Sequence, residues 1–450
     1  MPGPGDYRAV ADGIAAAIAD GRLRPGDRLP TQRELARRRG IAPSTAARVY
    51  RELARRGLTT GEVGRGTFVR AASPAAGPAL AEPSGQRVDL ELNYPVVPEQ
   101  SALLAGGLAP LLRPGVLTSA TGPVGVAGTA GARLAAAALL ARAGWRPEPG
   151  QVLFAGSGRQ AVAAAVAALV PPGGRLGAEE LTYPVLKAIA ARLHVTLVPL
   201  PVDEQGLVPG AVAAAHRAAP LHALYAQPVL HNPLGVTMPG PRRAELAGVL
   251  RALGVPVVED TIWAFLCGEE DPPPLAALLP ELTVLVDSLS KRLAPGLTTG
   301  FAVAPPALLP TVAAALRSGG WGPGRFALEA ATRWLAEGAV EAVVRAKRAD
   351  AAARQEIAAR ELAGFAVRGD ARSYSCWWEL PRAWRAETFV AAAARHGIAV
   401  TPAAAFAVGA ARAPGAVRLG LASPPPGTLA AALSRLADLA RSGPEDVAPE

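Results

Sequence analysis

Asp287-Ser-Leu-Ser-Lys291-Arg-Leu-Ala-Pro-Gly296 is the stretch on which the reading of this chain turns. It follows the apolar run Leu282-Thr-Val-Leu-Val286, which reads as a buried strand, so Lys291 falls on the turn just past the strand's end. Of 46 basic residues only Lys187, Lys291 and Lys347 are lysines. Where a generic cation would serve, the chain uses arginine. Lys291 therefore points to chemistry closed to arginine, and a Schiff base, which needs an amine whose pKa can fall, is the obvious candidate. The plain alternative is a solvated loop lysine.

Outward from this stretch the pattern alternates. Strand-like runs recur at Val152-Leu-Phe, Val195–Leu200, Leu221–Tyr225 and Val255–Val258 before Leu282–Val286, and Ala/Leu-rich helical stretches separate them at about 158–169, 185–193, 209–219 and 241–253. This predicts an α/β fold, a mainly parallel sheet with flanking helices. Ligands of such sheets sit beyond the carboxyl ends of the strands. The residues expected there are Gly156-Ser-Gly158-Arg159-Gln160, opening a helix; Gln227 to Gly235 with Asn232; Glu259-Asp260; and Ser288-Leu-Ser-Lys291.

Together these form a site for pyridoxal 5'-phosphate. Lys291 would bond the aldehyde, and Asp260, one strand earlier, would keep the pyridine nitrogen protonated. Gly158 and Arg159 at a helix N-terminus suit a phosphate dianion, Asn232 can donate to the phenolic oxygen, and Tyr183 can stack on the ring. Singly, Asp260 could be a helix cap, Asn232-Pro233 a turn and Tyr183 a core residue; their ordered recurrence at strand ends favours the site.

At 450 residues the chain has room for roughly two to three domains. Two cysteines, Cys267 and Cys376, cannot make a disulfide framework, and no Cys/His spacing resembles a zinc site, so no metal is expected. The start lacks a basic stretch followed by an apolar core, and the Ala-rich runs near 134–141 and 161–170 fall short of the ~20 residues a membrane span needs. The expectation is a cytoplasmic protein without a membrane partner. Charge is uneven. Residues 1–70 hold 14 arginines against seven acids, a net +7 of the chain's +9. A basic head on a near-neutral body is the footprint of a nucleic-acid-binding module.

That head reads as three helices and a hairpin. Tyr7 to Ala19 puts Val10, Ile14 and Ile18 on one face; Thr31 can cap a second helix ending at Arg39-Gly40; Pro43-Ser44 opens a third with Val49, Tyr50 and Leu53 inward. Two β-prone ends flank Gly64-Arg65-Gly66. The arrangement is a winged helix-turn-helix for double-stranded DNA. Arg48, Arg51 and Arg55 could contact phosphates or merely solvate the third helix. Residues 71–88 are an Ala/Pro/Gly linker by composition, able to span roughly 55 Å when extended. The body occupies 89–442, with a large part at about 120–305 and a small part at about 310–442, and 443–450 are a tail.

Three runs, Gly21 to Ala36, Tyr50-Arg-Glu-Leu53 and Gly64-Arg-Gly-Thr-Phe-Val69, resemble the winged helix-turn-helix of GntR-type regulators. The resemblance implies DNA contacts from Arg33, Ser44, Thr45, Gly64, Arg65 and Gly66. It departs at Ala42-Pro43, where such domains often carry a polar residue and an arginine. Thr182-Tyr183-Pro, His231-Asn232-Pro-Leu-Gly, Val258-Glu-Asp260, Ser288 to Leu297 and Ala416-Val-Arg418-Leu-Gly resemble fold type I aminotransferases. Head and body together resemble the MocR-type branch of GntR regulators. This implies a small C-terminal α+β subdomain, a head-to-tail homodimer, Ser288 and Ser290 beside the phosphate, and Arg418 as the clamp for an effector carboxylate. Arg418 could otherwise be a surface arginine before a strand.

Three features depart from that family. Thr298 and Thr299 stand where an arginine usually meets the phosphate; Trp263 replaces a hydroxyl donor; and Ser119 to Gly125 lacks a phosphate-binding tyrosine. Arg292 could take over part of the phosphate charge or point away. The leading expectation is a transcriptional regulator that senses pyridoxal phosphate or an amino compound. The alternatives are a working aminotransferase with a fused DNA head, or a regulator whose body has lost the cofactor.

Overall fold

The computed structural model describes residues 6–20, 22–23, 27–56, 58–62, 66–69, 85–409 and 413–442. Thr31 caps the head's second helix, Gln32–Arg39, through a reciprocal pair with Glu34, and Gly40, in the left-handed region at φ 63°, ends it. The third helix, Pro43–Arg55, has proline in its first turn, where the missing N–H costs nothing. Val49, Leu53 and Tyr50 of this helix pack with Tyr7, Ala11 and Ile14 of the first helix, Tyr7–Ala19. Thr59–Glu62 and Gly66–Val69 pair antiparallel as the wing. The tail and most of the expected linker fall outside the described residues. An ion pair between Asp12 and Arg385 (2.7 Å) joins head to body.

The body's main sheet has seven strands in the spatial order Val152–Ala155, Gly300–Val303, Thr283–Ser288, Val257–Asp260, Ala223–Ala226, Arg175–Glu179 and Thr196–Leu200. Only Gly300–Val303 runs against its neighbours. The sheet is mainly parallel, as the alternating pattern predicts, with two strands that pattern does not reveal. Arg175-Leu-Gly-Ala-Glu179 has a glycine at its centre and charges at its ends, and Gly300-Phe-Ala-Val303 is too short to show a period. Burial explains the alanine. In the helix Gly158–Leu169 the six residues Ala161 to Val166 are all buried, so small side chains let the helix lie close on the sheet.

A second, antiparallel sheet of Ala366–Arg368, Ser375–Glu379, Ala416–Gly420 and Thr401–Pro402 forms the small part, with helices Ala386–Arg395 and Pro426–Arg441. The long helix Ala339–Glu361 connects it to the main sheet. The entry segment belongs here too: Val88–Asp89 pairs in parallel with Ile398–Ala399. Among the described residues no single helix is long and apolar enough to cross a membrane.

Candidate cofactor and effector site

All six residues of Thr283–Ser288 are buried, and the strand delivers Ser288 to the top of the sheet. The Ser288 hydroxyl accepts from Ser290 N (3.3 Å) and pairs with Ser290 Oγ (2.7 Å), starting one helical turn, Leu289–Arg292, that carries Lys291. Lys291 Nζ donates to the Asn93 carbonyl at 2.7 Å, lies 3.6 Å from the Tyr94 ring centroid and 5.4 Å from that of Trp263. Burial first, then the nearby charges of Arg418, Arg159 and Lys347, hold its pKa well below the ordinary lysine value. A depressed pKa is what a nucleophilic amine requires.

A second lysine braces this turn from behind. Lys347, fully buried on the long helix, donates to the carbonyls of Lys291 (3.0 Å) and Leu293 (2.6 Å). Burial lowers its pKa to about 7 against the opposing pull of Asp350. Between about pH 7 and the ordinary lysine value near 10.5 the unfolded chain holds this proton and the folded one does not, so stability rises with pH across that window. Lys347→Met should flatten the rise in urea unfolding between pH 7 and 10, and an unchanged slope would count against the burial argument.

On the neighbouring strand Asp260 is buried and triply held. Oδ2 accepts from the Tyr225 hydroxyl (2.7 Å) and Gln227 Nε2 (3.0 Å), and Oδ1 from Ile262 N (3.1 Å). Burial still outweighs these bonds and raises its pKa to about 6. The Asn232 amide is close by in sequence to Gln227, whose Oε1 accepts from Asn232 N (3.3 Å), and its own Oδ1 is buried without a partner. Tyr183, half-buried, precedes the helix Pro184–Arg192; burial pushes its pKa up to about 12 against the pull of Arg159.

The phosphate end is set by close approach. Ser157 caps the helix Gly158–Leu169 by accepting from Gln160 N at 3.3 Å. A Cβ on Gly158 would stand 2.9 Å from Ser288 Oγ, and one on Gly300 would stand 2.3 Å from Ser157 O. Only glycines let the helix N-terminus and the Ser288–Ser290 turn meet, and that cradle is lined by N–H and O–H donors. The Thr298 and Thr299 hydroxyls are buried without partners. Restoring an arginine there, Thr298→Arg, should tighten pyridoxal phosphate by about ten- to a hundredfold, the worth of one charge-assisted hydrogen bond. Equilibrium dialysis reads this directly, and unchanged affinity would show that Thr298 does not face the phosphate.

Arg292 is a correction. Its Nη2 lies 2.6 Å from Asp287 Oδ2, its guanidinium carbon lies 5.6 Å from the Phe265 ring centroid, and it lines a separate cavity of about 130 Å³ with Arg142. Asp287 and Ser288 are successive strand residues and so face opposite sides of the sheet. Arg292 follows Asp287, away from the cradle. Arg418, from Ala416–Gly420, one of the two inner strands of the small sheet, is buried rather than on the surface: Nη2 donates to the Glu91 carbonyl and to Thr401 Oγ1 (3.2 Å), and Nε is buried without a partner. Burial lowers its pKa to about 10, still charged near neutrality.

Sequence reasoning missed the bonds to Asp260 from Tyr225, on the neighbouring strand, and from Gln227, just past that strand's end, and it missed Asn93, Tyr94 and Lys347, which lie far from Lys291 in the chain. On the head, Arg33 and Ser44 are exposed and Thr45 is partly buried. Arg48 leans back, its guanidinium carbon 4.4 Å from the Tyr7 ring centroid. Gly66 opens the second wing strand, while Gly64 and Arg65 lie outside the described residues.

A winged helix-turn-helix head on a fold type I aminotransferase-like body is the class that fold and site define. Residues 124–436 match the family Aminotransferase class I and II, to which the chain belongs, and residues 6–69 match the bacterial regulatory proteins of the gntR family. The uncharacterized HTH-type transcriptional regulator YdeF of Bacillus subtilis is 29% identical over 422 residues, covering 93% of this chain and 90% of its own. The pyridoxine biosynthesis transcriptional regulator PdxR of Corynebacterium glutamicum is 28% identical over 66% of this chain and 65% of its own, and TauR of Rhodobacter capsulatus 26% over 87% and 88%. In structure the body is similar to the kynurenine aminotransferase of Pyrococcus horikoshii, with a TM-score of 0.73 at 20% identity over 81% of this chain and 93% of that one. The α-aminoadipate aminotransferase LysN of Thermus thermophilus gives 0.71 at 24% over 79% and 92%.

Proposed function

We propose that the chain is a cytoplasmic, homodimeric transcriptional regulator that binds duplex DNA through its head and holds pyridoxal 5'-phosphate in its body, where the cofactor and an amino compound act as signals. The observation that carries the reading is the union, on one chain, of a winged-helix head with a site that keeps Lys291, Asp260 and Arg418 but has Thr298 and Trp263 where stronger donors belong. The residues fit the cofactor. Asp260 would meet the ring nitrogen, and the glycine-made cradle of Gly158, Ser288 and Ser290 suits the phosphate. When bound, pyridoxal phosphate would supply an aldehyde for amines and an electron sink. The Corynebacterium relative is named for pyridoxine biosynthesis, which supports a vitamin B6 compound as one signal.

The chain's own groups suffice for sensing. Lys291 offers an amine whose pKa burial holds well below the ordinary lysine value, Asp260 a carboxylate for the ring end, and Arg418 a buried cation with an unpartnered Nε for a carboxylate. Differential binding of a ligand to two states is all a switch requires. Turnover asks for more, because a misplacement of about 1 Å can cost around a hundredfold in rate. The test selects genomic duplex fragments that the full chain retains, then measures their affinity with and without pyridoxal phosphate and a panel of amino compounds, and measures transamination of the same panel. The expected result is a shift in DNA affinity with one class of amino compound and turnover near background. Turnover at about 1 per second or more, with DNA affinity indifferent to the whole panel, would favour an enzyme instead.

A further inference from the structure

The four residues Glu91–Tyr94, which follow the linker and the short strand Val88–Asp89, touch three basic groups at the site. Lys291 Nζ donates to the Asn93 carbonyl at 2.7 Å and lies over the Tyr94 ring. Arg159 Nη2 donates to the Tyr94 hydroxyl at 3.3 Å. Arg418 Nη2 donates to the Glu91 carbonyl. The small part grips the same segment from its other side: Gly420 N donates to Leu90 O (2.7 Å), Ala422 N to Asn93 Oδ1 (3.2 Å) and Ser423 Oγ to Leu92 O (2.9 Å). Upstream, Val88 N and Leu90 N donate to the carbonyls of Gly397 and Ala399, both at 2.9 Å.

Lys291 and Arg418 are also the groups that the proposed function gives to aldehyde and effector carboxylate, and the sequence reading puts Arg159 at the phosphate end. A donor turned toward a ligand leaves the carbonyl or hydroxyl it served. We infer that Glu91–Tyr94 is an internal occupant of the site, a latch that ligands must displace, and that its release loosens the Val88–Leu90 pairing next to the linker. The inference rests on pyridoxal phosphate binding at Lys291. It makes Tyr94 a competitor of the ligand, and it gives the site a covalent route to the DNA head, since the displaced segment runs straight into residues 70–84.

The experiment uses the full chain with pyridoxal 5'-phosphate as the probe. Borohydride fixation at Lys291 reports occupancy, and hydrogen–deuterium exchange of peptides spanning residues 86–95 reports the latch. Occupancy is expected to speed exchange at Val88 and Leu90 severalfold. Tyr94→Leu, without ring or hydroxyl, should exchange fast before the cofactor is added and bind it about tenfold more tightly, the low end for a hydrogen bond from a charged donor. Tyr94→Phe, which loses only the bond to Arg159, should fall between. Fixation at Lys291 with unchanged or slower exchange would overturn the latch and leave the cofactor reading standing, as would weaker binding by Tyr94→Leu. No fixation at Lys291 would sink both.

Discussion

In Lys291→Ala, borohydride is expected to fix no pyridoxal phosphate to the protein, while the wild-type chain is labelled at that one residue. Among the chain's three lysines, the other two have different duties: Lys187 donates to the Ala405 carbonyl at 2.9 Å, and Lys347 braces the turn beneath Lys291. The substitution removes one hydrogen bond to Asn93 and leaves the head's core of Tyr7, Val49 and Leu53 untouched, so the head should keep its melting and its DNA binding. Mass spectrometry of the reduced protein is the measurement. A reducible adduct persisting at full yield in the variant would remove Lys291 from the site.

The second large effect concerns Arg292. Arg292→Met should destabilise the fold by about 3–5 kcal/mol, the usual cost of leaving one member of a buried ion pair without the other. Asp287, only 1% exposed, would keep its bonds from Thr261 Oγ1 (3.2 Å) and Ser288 N (2.6 Å) but lose its counter-charge. Asp287→Asn combined with Arg292→Met removes both charges and should recover much of the loss. Denaturant unfolding of the two variants measures this. At temperatures where both are folded, pyridoxal phosphate affinity should stay within about threefold of wild type. A selective collapse of affinity with stability intact would return Arg292 to the phosphate.

Sequence reading reached the parts of the site where chemistry restricts the residue type. The proposed Schiff base needs a lysine at 291, in a chain with only two others among its 46 basic residues, and an acid at the end of a buried strand, as at 260, needs a reason to be there. The winged head was legible for a similar cause: Thr31 with Glu34, Gly40 and Pro43 are boundary signals that act over one helical turn. Arg292 resisted because one backbone position separates the two faces of a sheet, and sequence does not say which way a side chain leaves a turn. Asn93 and Tyr94 resisted for a deeper reason. Their contact with Lys291 spans almost 200 residues and arises only when the small part folds over the large one, which no local pattern records.

The scarcity of lysine has a consequence for selectivity. Pyridoxal phosphate is a promiscuous aldehyde that condenses with accessible unprotonated amines, so an ordinary lysine-rich surface acts as a sink of weak, stray adducts. Here the lysine side chains are three, and each donates to backbone carbonyls. Apart from the α-amino group, the exterior is furnished with guanidinium groups, which stay protonated and do not condense in this way. Under the proposed function, that choice would give the regulator a quiet background: reagent drawn from a dilute cellular pool would meet few competent side-chain amines besides Lys291.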